Sequence, residues 1–164
     1  MGAQCEHLMA KADLLARMQA GCDALSATFR QVQPAQWPRA VHAQGFTAHD
    51  YLNYAQGLIE LTGNSYLQSL RMDPVMNDAE IDAEARRNAA RRKGRAIATD
   101  LDDFAASVRG FLILVDMASD EQIAESVNGR TREAWFDTLM AVLLRINGIM
   151  VAWLAKGDGA TDHQ

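Results

Sequence analysis

The chain has 164 residues, three prolines and eleven glycines, with 49% apolar and 23% charged residues. That is one domain's worth of chain with a globular composition, which excludes global disorder and an all-β protein rich in tight turns. A formal net charge of −5 excludes a dedicated nucleic-acid binder, which needs basic surface to displace counterions from phosphates.

The first helix carries Leu15, Met18, Cys22, Leu25, Phe29 and Val32 at steps of three and four, a single apolar seam. Pro34 and Pro38 end it, with Trp37 between them in a connecting loop. Thr47 is the expected N-cap of the second helix, with Asp50 returning the bond as in a capping box and Phe46 as the staple residue. Its seam reads Tyr51, Ala55, Leu58, Thr62 and Tyr66, flanked by Leu52, Ile59 and Leu70, and Asp73-Pro74 stops it. Asp78 is the expected cap of a third, Ala- and charge-rich helix with Ile81 as its one large apolar residue. This reads as a surface helix within a long connection.

Gly94 marks a break, and Thr99 is the expected cap of a helix with Leu101, Phe104, Val108, Phe111 and Val115 on its seam. Ser119 caps a short turn, and Asn128-Gly129 marks a loop. Thr131 caps the last helix, whose seam is read as Trp135, Leu139, Val142, Ile146, Ile149 and Trp153. Four long amphipathic helices and no strand-like alternation predict an all-α four-helix bundle over residues 1–157, with 158–164 a polar tail. No run of eighteen apolar residues and no signal peptide are visible, so the expectation is a cytoplasmic protein that spans no membrane.

Candidate chemistry is sparse. Cys5 and Cys22, seventeen residues apart, lie about 25 Å apart on one helix and cannot pair. Cys22 reads as a small core residue. His7, His42, His49 and His163 show no metal-ligand spacing, and His49 reads as a solvated residue. Asp50, Asp100, Asp102 and Asp103 read as carboxylates favoured by helix starts. The basic run Arg86 to Arg95 reads as a solvated face paired with Asp82 and Glu84, or with another subunit, against a phosphate or carboxylate site. Tyr54 lies beside the second helix's seam, where an aromatic hydroxyl lines a small-molecule pocket or stays structural.

Three segments resemble the DinB/YfiT-like superfamily, which includes the mycothiol-dependent maleylpyruvate isomerase-like proteins. GFTAHDYLNYAQ at 45–56 is similar to that family's G-W-T-x-x-D-x-x-x-H segment. MASDEQIAESV at 117–127 looks like its L-S-D-E-x-L turn, and INGIMVAWL at 146–154 looks like its closing H-R-x-Q-I-x-x-W-L. The resemblance runs over most of residues 8–156 and implies a bundle of DinB-like type with a long helical connection between helices two and three, here 71–98. Many such proteins are thiol-dependent transferases or isomerases, or hold a divalent metal between helices, and many are dimers. The implied ligand set falls on Tyr54, Val142 and Ile146. Val142 and Ile146 have no donor atom, and neutral tyrosine is a poor ligand, so no metal and no cofactor are expected. A branch similar to the colibactin self-protection proteins keeps the fold without the metal triad and shares a tyrosine at that helix-two position.

Two functional readings follow. One is a metal-free small-molecule pocket between helices, in a hydrolase, transferase-like or self-protection role, lined by Asn53, Tyr54 and Trp135 with Asp50 at its rim. No catalytic residue is assigned; Asp50 is the nearest base. The other is a non-catalytic helical homodimer, motivated by Met140, Leu143, Leu144 and Met150 beyond the last helix's seam.

Overall fold

The computed structural model describes residues 2–42 and 45–157, with side chains from Lys11 onward. The Cys5, His7 and His163 side chains and the 158–164 tail lie outside the described residues. Helix α1 spans Gly2–Arg30, α2 Ala48–Leu70, α3 Asp78–Arg91, α4 Ile97–Met117, α5 Asp120–Ala124 and α6 Arg132–Ala155. A two-residue hairpin, β1 (Ser126–Val127) with β2 (Arg130–Thr131), precedes α6. The fold is all-α.

Four long helices make the bundle, and cross-helix pairs fix their directions. Arg17 bonds Asp137 and Thr28 bonds Asn147, so α1 and α6 run parallel. Asn53 bonds Asp100 and Ser107 bonds Glu60, so α2 and α4 run parallel. Tyr66 against Phe136 and Ser69 against Arg132 set α6 antiparallel to α2. Two parallel consecutive long helices need a return path, and α3 supplies it.

The helix starts follow local chemistry. Thr47 with Asp50, and Ser119 with Gln122, form capping boxes, and the Thr131 hydroxyl accepts from the Ala134 N–H. The cap of α3 is Asn77, not Asp78: Asn77 and Glu80 form the box, and Asp78 takes the first helical position. Helix α4 begins before Thr99, at Ile97, with no side-chain cap. Its first turn holds Asp100, whose negative charge faces the positive end of the helix dipole. Asn128 and Gly129, at φ 54° and 81°, form the hairpin turn, where both central residues must adopt positive φ.

The seam of α1 packs as expected from Met18 to Val32, with Leu14 buried at its N-terminal end and Leu15 half-buried beside it. Trp37 is buried, not merely a loop residue; it stacks on Phe29 at 6.3 Å and pins the connection to the bundle. Every residue from Tyr51 to Ile59 is buried, because α3, α4 and α6 pack around α2. Helix α3 approaches α2 closely at Gly57, where a Cβ would lie 3.2 Å from Ala85 Cα.

The face of α6 differs from the expected seam. Its buried residues are Arg132, Phe136, Leu139, Met140, Leu143, Ile146 and Met150. Met140, Leu143 and Met150, expected as surplus surface, are core; Leu144 alone of that group is exposed. The helix carries two apolar stripes of equal period, and Phe136, packed against Tyr66 and Phe111, selects the inward one. Trp135, Val142, Ile149 and Trp153 are half-buried on its flank. By length and mean hydropathy, 1.8 over its most apolar stretch, α6 is apolar enough to cross a bilayer, and it packs on α1 and α2.

Candidate functional site

The rotation of α6 opens a cavity of about 450 Å³ between α2, the 75–82 segment, the hairpin and α6. Helix α2 contributes Tyr54, Leu58 and Thr62, and α6 contributes Trp135, Leu139 and Val142. Arg130 ties its rim together, with Nη1 2.6 Å from Asp78 Oδ2 and Nη2 donating to Thr138 Oγ1 at 2.6 Å.

Tyr54 and Asp82 form the polar wall. The Tyr54 hydroxyl donates to Asp82 Oδ1, and Arg86 Nε donates to Asp82 Oδ2 at 2.9 Å. The Arg86 guanidinium lies 5.1 Å from the Tyr54 ring centroid and 5.2 Å from that of Phe46, a cation–π bracket. Burial, then the hydrogen bond to Asp82, pushes the Tyr54 phenol up to about 12. The bond from Arg86 holds the Asp82 carboxyl below its usual range, against a smaller opposing effect of burial. At neutral pH the wall is therefore a protonated phenol on an ionised carboxylate. The phenol oxygen keeps lone pairs for an incoming donor.

The sequence candidates separate. Tyr54 and Trp135 both line this cavity. Asn53 does not: it is buried against α4, where its amide donates to Asp100 Oδ2 at 3.1 Å. Asp50 lines a second cavity on the other face of Tyr54, and its carboxylate accepts the Thr47 N–H at 3.0 Å.

Asp100 stands at a helix start as expected and is paired there as well, and His49 is not the solvated residue expected. His49 is largely buried, with Nε2 2.6 Å from Asp100 Oδ2, and Asp100 is fully buried. Arg95 lies 3.3 Å from the other Asp100 oxygen. The signal available in sequence was weak: His49 and Asp100 each sit in a first helical turn, and only α2–α4 packing brings the two turns together. The basic run divides as well. Arg86 pairs with Asp82, and Arg87 and Arg91 with Glu84, at the surface as expected, while Arg92 and Arg95 reach Glu60 and Asp100 on neighbouring helices.

The donor set does not fit the divalent metal that the resemblance implies. At the three ligand positions stand a phenol held protonated by its surroundings and two hydrocarbon side chains, Val142 and Ile146. Donors a turn away are committed elsewhere: Asn147 to Thr28, Asp137 to Arg17, and His49 to Asp100. Among the described residues no three His, Cys, Asp or Glu side chains converge.

No protein-family model matches the chain, and no curated protein matches its sequence. The solved structure of DfsB, described as a sibling lethal factor precursor, is similar in fold, with a TM-score of 0.76 at 16% identity. The match covers 92% of this chain and 98% of that one. At that identity the likeness concerns the fold.

Proposed function

We propose that the protein is a small-molecule-binding bundle of DinB-like type, with the cavity between α2, α3, the hairpin and α6 as its ligand site. The observation that carries this is the Tyr54–Asp82 pair, held by Arg86, at the wall of a cavity of about 450 Å³ where Leu58, Trp135, Leu139 and Val142 stand beside Thr62, Asp78 and Arg130, a size suited to a small organic ligand. Between binding and catalysis, the electrostatics favour binding. A general acid or base works best with a pKa near the operating pH. Here the phenol is displaced upward and the carboxylate downward. A self-protection role would then rest on sequestering a compound rather than converting it. The second reading, a non-catalytic homodimer, is supported by Ile113 and Met117 on α4, 60% and 79% exposed.

An aromatic-fragment library followed by protein NMR tests the ligand site. Val142→Trp fills the cavity from its half-buried wall, and Tyr54→Phe removes the polar contact. Fragments are expected to perturb residues around Trp135, to lose binding in Val142→Trp, and to lose polar members selectively in Tyr54→Phe. No fragment at this cavity, or binding that survives Val142→Trp, overturns the reading.

A further inference from the structure

The second cavity, about 480 Å³, lies on the opposite face of Tyr54, between the N-terminal part of α2, the C-terminal part of α3 and the middle of α6. Its walls are of two kinds. Phe46, Ile146 and Ile149 supply apolar surface, and Arg86, Lys93 and Arg145 supply positive charge.

The charge balance distinguishes the three cations. Arg86 is spent on Asp82 and held over two rings. Asp50, the acid in the lining, is bonded to the Thr47 N–H at the helix start. The side chains of Lys93 and Arg145 form no hydrogen bond or ion pair among the described residues, although Arg145 lies near enough to Asp82 to help lower its carboxyl. Arg145 comes from α6 and Lys93 from the turn after α3, more than fifty residues apart in sequence. Both guanidiniums, Arg86 and Arg145, act on the buried Tyr51 phenol, opposing the upward push that burial gives it, so their fields overlap inside the cavity. Tyr51 in turn meets His42, whose Nε2 lies 3.0 Å from the phenol oxygen, placing polar hydrogens at the same end.

We propose that this second cavity is an anion site for a small amphiphilic acid, a carboxylate or phosphate monoester whose charged head meets Lys93 and Arg145 and whose body packs on Phe46 and Ile149. The arrangement suits such a ligand because the Lys93 and Arg145 side chains, without a hydrogen-bonded partner at the mouth of a partly apolar cleft, outnumber the one lining carboxylate, Asp50, and a bound anion would supply the direct contact they lack. Arg145 also borders the first cavity, so an anion here sits one residue away from a ligand there. Tyr54 and Arg145 line both cavities, whereas Lys93 and Phe46 line only the second, so Lys93 is the residue that separates the two sites.

The test is calorimetric titration of the whole chain with phenyl phosphate, benzoate, inorganic phosphate and uncharged benzyl alcohol. Phenyl phosphate or benzoate is expected to bind, more weakly as salt rises, and benzyl alcohol is not. Whichever acid binds more tightly identifies the head group. Lys93→Gln is expected to weaken the better acid about tenfold and Lys93→Gln with Arg145→Gln to abolish binding. Both residues are exposed, so the variants retain the fold, as circular dichroism would check. Trp135→Leu, in the first cavity ten residues before Arg145, is expected to leave the acid's affinity unchanged. Failure of both acids to bind, binding no tighter than inorganic phosphate, or insensitivity to Lys93→Gln each overturns the proposal.

Discussion

His49 Nε2 lies 2.6 Å from Asp100 Oδ2, joining the first turn of α2 to the first turn of α4 inside the protein. Asp100 also accepts from the Asn53 amide nitrogen, so one fully buried carboxylate holds two α2 side chains. Removing a buried acceptor leaves its donors unsatisfied. Asp100→Ala is expected to cost about 1–3 kcal/mol, because the His49 and Asn53 side chains lose that acceptor. Urea unfolding followed by circular dichroism measures it, and a loss under about 1 kcal/mol would mean that the pair contributes little.

The contact between Gly57 and Ala85 has no slack. A Cβ on residue 57 would stand 3.2 Å from Ala85 Cα and 3.3 Å from its Cβ. Gly57→Val is expected to destabilise the protein by about 1–3 kcal/mol through overpacking. Because α3 carries Asp82, it is also expected to weaken any ligand of the first cavity. Gly110→Val, on α4 with open space around its Cβ position, is the control without such a clash.

Tyr54 ties stability to alkaline pH. Its phenol has a pKa of about 12 in the fold against an ordinary 10.0, so the fold favours the protonated form. That contribution is fully present below the unfolded value of 10.0 and is lost as pH rises through 12. Tyr54→Phe is expected to flatten the fall of denaturation midpoint over this window. Near-ultraviolet absorbance should show the corresponding phenolate to be the last to form. A steep fall unchanged in the variant would assign it elsewhere, for example to Tyr51 or Tyr66, which burial also raises.

Cys22 is an inert thiol. It is buried on the α1 seam, and burial pushes it up from 9.0 to about 11. The thiolate is the reactive form, so little is present at neutral pH. In a Cys5→Ser background, a disulfide reagent is expected to leave the native protein unlabelled and to label one thiol per chain after unfolding in urea. Rapid labelling of the native form would contradict this burial.

Much of the helical architecture was legible in the residues. Thr47, Ser119 and Thr131 announce helix starts because a capping bond spans only three residues. The seams of α1 and α4 could be read because each helix has one apolar stripe. Helix α6 has two, and local periodicity cannot choose between stripes of equal spacing. Phe136, packed on Tyr66 and Phe111, makes the choice, and with it exposes Trp135 and Val142 to the cavity. The same limit hid the pairs that matter most. Tyr54 meets Asp82 across 28 positions and His49 meets Asp100 across 51. Helix-start and period signals arise within one turn of one helix, whereas a buried carboxylate acquires its partner only when a second helix is packed against it.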